Sequence, residues 1–152
     1  MSEHRAIVRW QHSGDFLKGQ FSRAHEWSFD GGVTVPASAS PAAVRVPFSN
    51  PSNVDPEEAF VAAISSCHML TFLWIASRKG LEVTSYMDEA VGRMSKNERG
   101  IPWVSSVVLN PRVVYVGTHP TQEVEEELHH LAHNACYIAN SVKTQITVAP
   151  NL

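Results

Sequence analysis

The sequence predicts an α+β domain, and three observations carry that expectation. Two long runs have helical length and helix-start signals. Several shorter runs mix apolar and polar positions among β-formers. The runs follow the order β-β-(irregular)-α-β-β-α-β, which favours antiparallel strands between the two helices over a regular βαβ alternation. The 152 residues suit one domain, taken as 1–152, with no internal repeat and no linker.

Residues 4–11 and 20–29 read as the first strands, and Asp30-Gly31-Gly32 supplies turn residues that tolerate positive φ. From Val33 to Val54 the chain is rich in Pro, Ala and Ser, an irregular connection with one short strand around Val44–Val46. The first helix starts at a capping box: Asp55 caps, Pro56 suits the first position and Glu58 lies three residues after the cap. It runs to Arg78, and Gly80 stops it. Its apolar residues lie all round, so one sheet cannot cover it, and a partner subunit is expected to supply the rest.

Residues 82–95 and 103–116 read as strands joined by Lys96-Asn97-Glu98-Arg99-Gly100. The second helix begins near Thr121, with Glu123, Glu125, Glu126 and Glu127 favoured by the helix dipole. Val124, Leu128, Leu131, Ala135 and Ile138 read as its apolar face, and Lys143–Val148 as a final strand.

A net charge of -3 without a basic run gives no reason to expect nucleic acid or an anionic membrane as a partner. No apolar stretch suited to a secretory signal stands at the start, and two cysteines do not make a disulfide scaffold, so the expected compartment is the cytoplasm. The run from Ala59 to Ala76 lacks Asp, Glu, Lys and Arg and sits at the lower limit for a spanning helix. Ser65, Ser66, His68 and Thr71 interrupt it, which favours a buried core helix.

Cys67, mid-way along that helix, and Cys136, late in the second, are either inert buried thiols or a redox pair. A reactive Cys67 needs a cation that its own helix does not supply within a turn. His129 and His133, or His130 and His133, can share a helix face, but two ligands do not make a metal site and HExxH is absent. Gly31-Gly32 is a turn and not a phosphate cradle, and GxSxG is missing.

The segment Asp55-Pro56-Glu57-Glu58-Ala59-Phe60-Val61-Ala62-Ala63-Ile64-Ser65-Ser66-Cys67 resembles the helix-opening motif of the OsmC/Ohr family, in which the reactive Cys follows a Pro-Glu pair by ten positions. Ala132-His133-Asn134-Ala135-Cys136 with Asn140-Ser141 is similar to the family's second-Cys region. The resemblance implies an OsmC-like fold with antiparallel sheets around two long helices in an intertwined homodimer. It also implies a thiol peroxidase for organic hydroperoxides that needs no metal or other cofactor. Cys67 would become a sulfenic acid, Cys136 would resolve it as a disulfide, and an external dithiol would reduce that bond. An Arg would hold the thiolate, oriented by Glu57. Arg23 on the second strand is favoured, with Arg45 as the rival, and His25 and His68 are placed at the peroxide pocket. The apolar residues around Cys67 suit a greasy peroxide. Two readings compete with this one: a non-enzymatic relative that binds a small apolar ligand, and a His/Cys metal-binding module. One departure stands out: the family commonly has Pro after the second Cys, whereas this chain has Tyr137, which lets the helix continue past Cys136.

Overall fold

In the computed structural model, which describes residues 1–149, the early β-formers pair as antiparallel strands. The chain divides into two compact units, Met1–Ala59 and Phe60–Leu152. In the first, β1 (Ala6–Arg9) pairs with β4 (His25–Phe29), which pairs with β5 (Thr34–Ala37), in the order β1-β4-β5. The short strands β2 (Gly14–Asp15) and β3 (Gln20–Phe21) form a separate hairpin.

The run 20–29 is thus two strands, interrupted at residues 22–24, and Arg23 sits in the interruption rather than on a strand. Glycine is required at position 14, where φ is +82 and a Cβ would collide with the Gln20 carbonyl oxygen. No strand forms at Val44–Val46, where the backbone closes turns through Val44 N–H to Ser40 O and Phe48 N–H to Arg45 O. The strand in this stretch is instead β5, whose Pro36 lacks an N–H and is tolerated at the sheet edge.

Helix α1 spans Pro56–Arg78. Its capping box is closed at both ends: Glu58 N–H donates to Asp55 Oδ1 at 2.8 Å, and Asp55 N–H to Glu58 Oε2 at 3.1 Å. At the other end Leu81 N–H donates to Ala76 O and Gly80 N–H to Ser77 O, with Gly80 at φ +75. This is a Schellman stop. The helix is long and apolar enough to cross a membrane by length and composition. Its buried residues nevertheless serve two protein cores.

In the second unit, residues 82–95 break at Glu89-Ala90 into β6 (Val83–Asp88) and β7 (Val91–Lys96). Residues 103–116 break at Asn110 into β8 (Pro102–Leu109) and β9 (Pro111–Tyr115). Strand β6 pairs with β9 in a two-stranded sheet, and β7 with β8 in a second sheet. The last strand, β10 (Gln145–Val148), runs parallel to β8 and completes the order β10-β8-β7. Ile64 packs with Val107 and Leu109 from β8, while Phe72, Ile75 and Ala76 pack with Val113, Tyr115 and two residues of the second helix, Leu128 and Ala132. Gly92 lets β7 approach α1, since a Cβ there would lie 2.5 Å from Val61 Cγ2.

Helix α2 (Gln122–Ala135) is capped by Thr121. Its buried residues are Glu125, Leu128, His129 and Ala132; of the expected stripe Leu128 is buried, Leu131 and Ile138 are half-buried against the cores, and Val124 and Ala135 are exposed.

Candidate active site

The two cysteines are brought together. Cys136 caps the end of α2, so the helix does not run past it despite the missing Pro. Asn140 Nδ2 covers this end, donating to Asn134 O at 3.0 Å and to Cys136 O at 2.9 Å, which also accepts from Asn140 N–H. Both cysteines are free thiols. Burial pushes the Cys136 thiol up, and a side-chain hydrogen bond with Cys67 raises it further. Backbone hydrogen bonds from Ala139 and Ile138 act the other way. Cys136 is buried at 1% exposure, while Cys67 is half-buried.

The α1 turn carrying Cys67 is anchored by residues that the sequence reading passed over. Ser65 Oγ donates to Asp88 Oδ2 at 2.5 Å, and Asp88 Oδ1 accepts from Asn110 N–H at 2.6 Å. This chain of bonds ties α1, two residues before the cysteine, to the ends of β6 and β8. Its partners lie 23 and 22 residues apart in sequence, so no local motif announces them.

Arg23, His25, Arg45 and Glu57 fall in the first unit. Arg23 Nη1 donates to the carbonyls of Gly19 and Phe21, and its Cζ sits 3.6 Å from the Phe21 ring centroid. It lines a cavity of about 370 Å³ with Val8, Trp10, Phe16, Phe21 and His25 among its walls. Trp27 Nε1, which can only donate, lies 3.0 Å from His25 Nε2. That fixes the proton on His25 Nδ1, which donates to Arg23 O at 2.7 Å. Arg45 is exposed, with its Cζ 5.8 Å from the Phe48 ring centroid. Glu57 is half-buried in the first turn of α1.

His68 follows Cys67 and is buried against α2, its Nε2 3.0 Å from His129 Nδ1. The two rings are stacked, and His129 stacks on Phe72 with centroids 4.4 Å apart. Among the described residues, no group of three His, Cys, Asp or Glu side chains is arranged to hold a metal ion. Burial lowers both imidazoles to about 4, with His133 lowering His68 further and Asp88 partly opposing it. The folded values lie below the unfolded value near 6.5, so stability is full above pH 6.5 and is lost as pH falls towards 4. Between pH 7 and 5, one such group costs about 2 kcal/mol. Urea titrations at the two pH values should show the loss from both imidazoles, and His129→Phe should remove about one group's share of it. An equal pH dependence in the variant would exclude His129 as its source.

A model of the OsmC-like protein family matches residues 49–151. The chain is 55% identical to an OsmC-like protein of unknown function from Vibrio cholerae, with 99% of each chain covered and a TM-score of 0.95. An organic hydroperoxide resistance protein OsmC from Legionella pneumophila shares the fold at 14% identity, full coverage of both chains and a TM-score of 0.73. The organic hydroperoxide resistance protein OhrB of Bacillus subtilis does so at 17% identity and a TM-score of 0.68, with 99% of this chain and 98% of that one covered. No curated protein sequence matches significantly. A paired-thiol α+β protein is what the fold and the two cysteines define. The chain belongs to the OsmC-like family.

Proposed function

We propose that this protein is a thiol-dependent peroxidase for apolar organic hydroperoxides. The observation that carries the reading is that Cys67 lies near enough to Cys136, at the close of α2, to help push its thiol up. The Cys67 thiolate attacks the terminal oxygen of ROOH, the O–O bond breaks, and ROH leaves as Cys67 becomes a sulfenic acid. The Cys136 thiolate then attacks the Cys67 sulfur, the S–O bond breaks, and water leaves as the disulfide forms. A dithiol returns the pair to thiols and is itself oxidised.

The cation comes from Arg23 in this reading, and Glu57 orients it. Arg23 is half-buried on the wall of an apolar cavity, whereas Arg45 is exposed, which supports Arg23 over its rival. The protein works as a homodimer. Along α1, Ala63, Ser66, Leu70 and Trp74 form one stripe at helical spacing and remain exposed. Leu70 and Trp74 are 61% and 66% exposed, which fits a face covered by a second copy.

Addition of one equivalent of cumene hydroperoxide to reduced protein should remove both thiols per chain and yield an intramolecular disulfide. In Cys136→Ser, a sulfenic acid on Cys67 should be trapped by dimedone. Retention of both thiols at a tenfold excess of peroxide would overturn the peroxidase reading.

A further inference from the structure

The surroundings of the two sulfurs differ in a way that bears on how the disulfide is reopened. Cys136 sits at the close of α2 at 1% exposure, whereas Cys67 is half-buried. The chain after Cys136 folds back over its sulfur, and Ala139 N–H donates to Cys136 Sγ at 3.4 Å. Asn140 N–H and Ser141 N–H are taken by the carbonyls of Cys136 and Ile138. Asn140 Nδ2 holds the Cys136 carbonyl at 2.9 Å and fixes the turn in place. A backbone donor, Ala139 N–H, therefore already points at one sulfur of the pair.

Thiol–disulfide exchange needs an open path to the attacked sulfur and a leaving thiolate that its surroundings can hold. Burial raises the Cys136 thiol and works against its departure as an anion, while the Ala139 N–H contact, stronger to a thiolate than to a thiol, works for it. We infer that the reducing thiol attacks Cys67 Sγ and that Cys136 is the leaving group, received by the backbone N–H donors of its turn. The inference rests on Cys67 and Cys136 forming a disulfide, as the peroxidase reading requires. A path to Cys67 exists on that reading, because the hydroperoxide must also reach it.

The exchange balances. A thiolate of the dithiol bonds to Cys67 Sγ, the Cys67–Cys136 bond breaks, and the electron pair leaves on Cys136 Sγ, which then takes a proton. The second thiol of the reductant attacks its partner sulfur in the mixed disulfide and releases Cys67. Two electrons pass from the dithiol, which becomes a disulfide, to the protein pair, which becomes two thiols.

The test uses glutathione as a monothiol probe, since it stops at the mixed disulfide. Full-length protein is oxidised in parallel with cumene hydroperoxide and with diamide. Glutathione is added, samples are quenched at early times with acid and N-ethylmaleimide, and peptides are mapped by mass. Glutathione should lie on Cys67 and N-ethylmaleimide on Cys136, in at least about tenfold excess over the reverse pattern (about 1.4 kcal/mol of preference). Glutathione on Cys136 in equal or greater amount overturns the inference, as does failure of diamide to join the two cysteines. Disulfide from diamide but not from peroxide would instead defeat the peroxidase reading, and the mapping would still decide the site of attack. Ala139→Pro, which removes one donor, should slow cleavage by glutathione several-fold, and an unchanged rate counts against the backbone's role.

Discussion

Replacing Cys67 by Ser is expected to lower hydroperoxide turnover by at least about a thousandfold while leaving the fold intact. A serine hydroxyl holds almost no anion at neutral pH, and its oxygen cannot pass through the sulfenic acid and disulfide that carry two electrons from the dithiol to the peroxide. The structural side predicts that little else changes. Cys67 is half-buried, Ser is close to it in size, and the Thr71 hydroxyl bonds its backbone carbonyl rather than its sulfur. The capping box and the Schellman stop that bound the helix involve neither Cys67 nor its immediate neighbours. Consumption of cumene hydroperoxide with dithiothreitol as reductant measures the rate, and a thermal melt checks the fold. Wild-type turnover in a folded Cys67→Ser protein would show that the chemistry runs elsewhere.

What was legible in the sequence was what local physics decides. The ends of α1 follow from Asp55, Pro56, Glu58 and Gly80, each acting within a few residues of itself, and the structure shows the expected bonds there. The second helix was found for the same reason, through Thr121 and the acids after it. Its buried face is legible only in part, because apolar periodicity marks Leu128 and Leu131 but passes over buried polar groups. Glu125 is buried with the Tyr115 hydroxyl donating to it at 2.9 Å, and His129 is buried against His68, 61 residues earlier in the chain. Partners that distant leave no trace in a short window.

Arg23 was misplaced by a similar limit. Residues 20–29 read as one strand, but Gly14 allows β2 to pair with β3, and the pairing of β4 starts afresh at His25. Between them the Arg23 side chain turns back to the carbonyls of Gly19 and Phe21. At Cys136 the absence of Pro suggested a longer helix. The side chain of Asn140 covers the helix end instead, donating to the carbonyls of Asn134 and Cys136. The motif spacing placed Cys67 and Cys136 as candidates, but their meeting depends on how α1 and α2 pack, which no spacing encodes.

The geometry of α1 leads to the second large effect. The helix is continuous from Pro56 to Arg78, so Glu57 and Cys67 are about 15 Å apart along its axis and point about 80° apart around it. A glutamate side chain cannot cross that distance to orient an arginine at the Cys67 sulfur. If Glu57 serves a Cys67 site, it serves the one on the second copy, and each dimer then holds two shared sites. Cys67→Ser and Glu57→Ala homodimers should both be weak, the first because the nucleophile is gone and the second because the arginine is unguided. Chains carrying different tags are co-expressed, and the mixed dimer is isolated and its mass confirmed by light scattering. In that dimer one site loses both residues, while the other joins an intact Cys67 to an intact Glu57. Turnover should therefore return to about half that of wild type, since one of two sites is whole. Were each site built within one chain, both sites of the mixed dimer would carry a lesion and turnover would stay near that of its parents. A monomer in solution, or a verified mixed dimer without recovery, would sink the shared site.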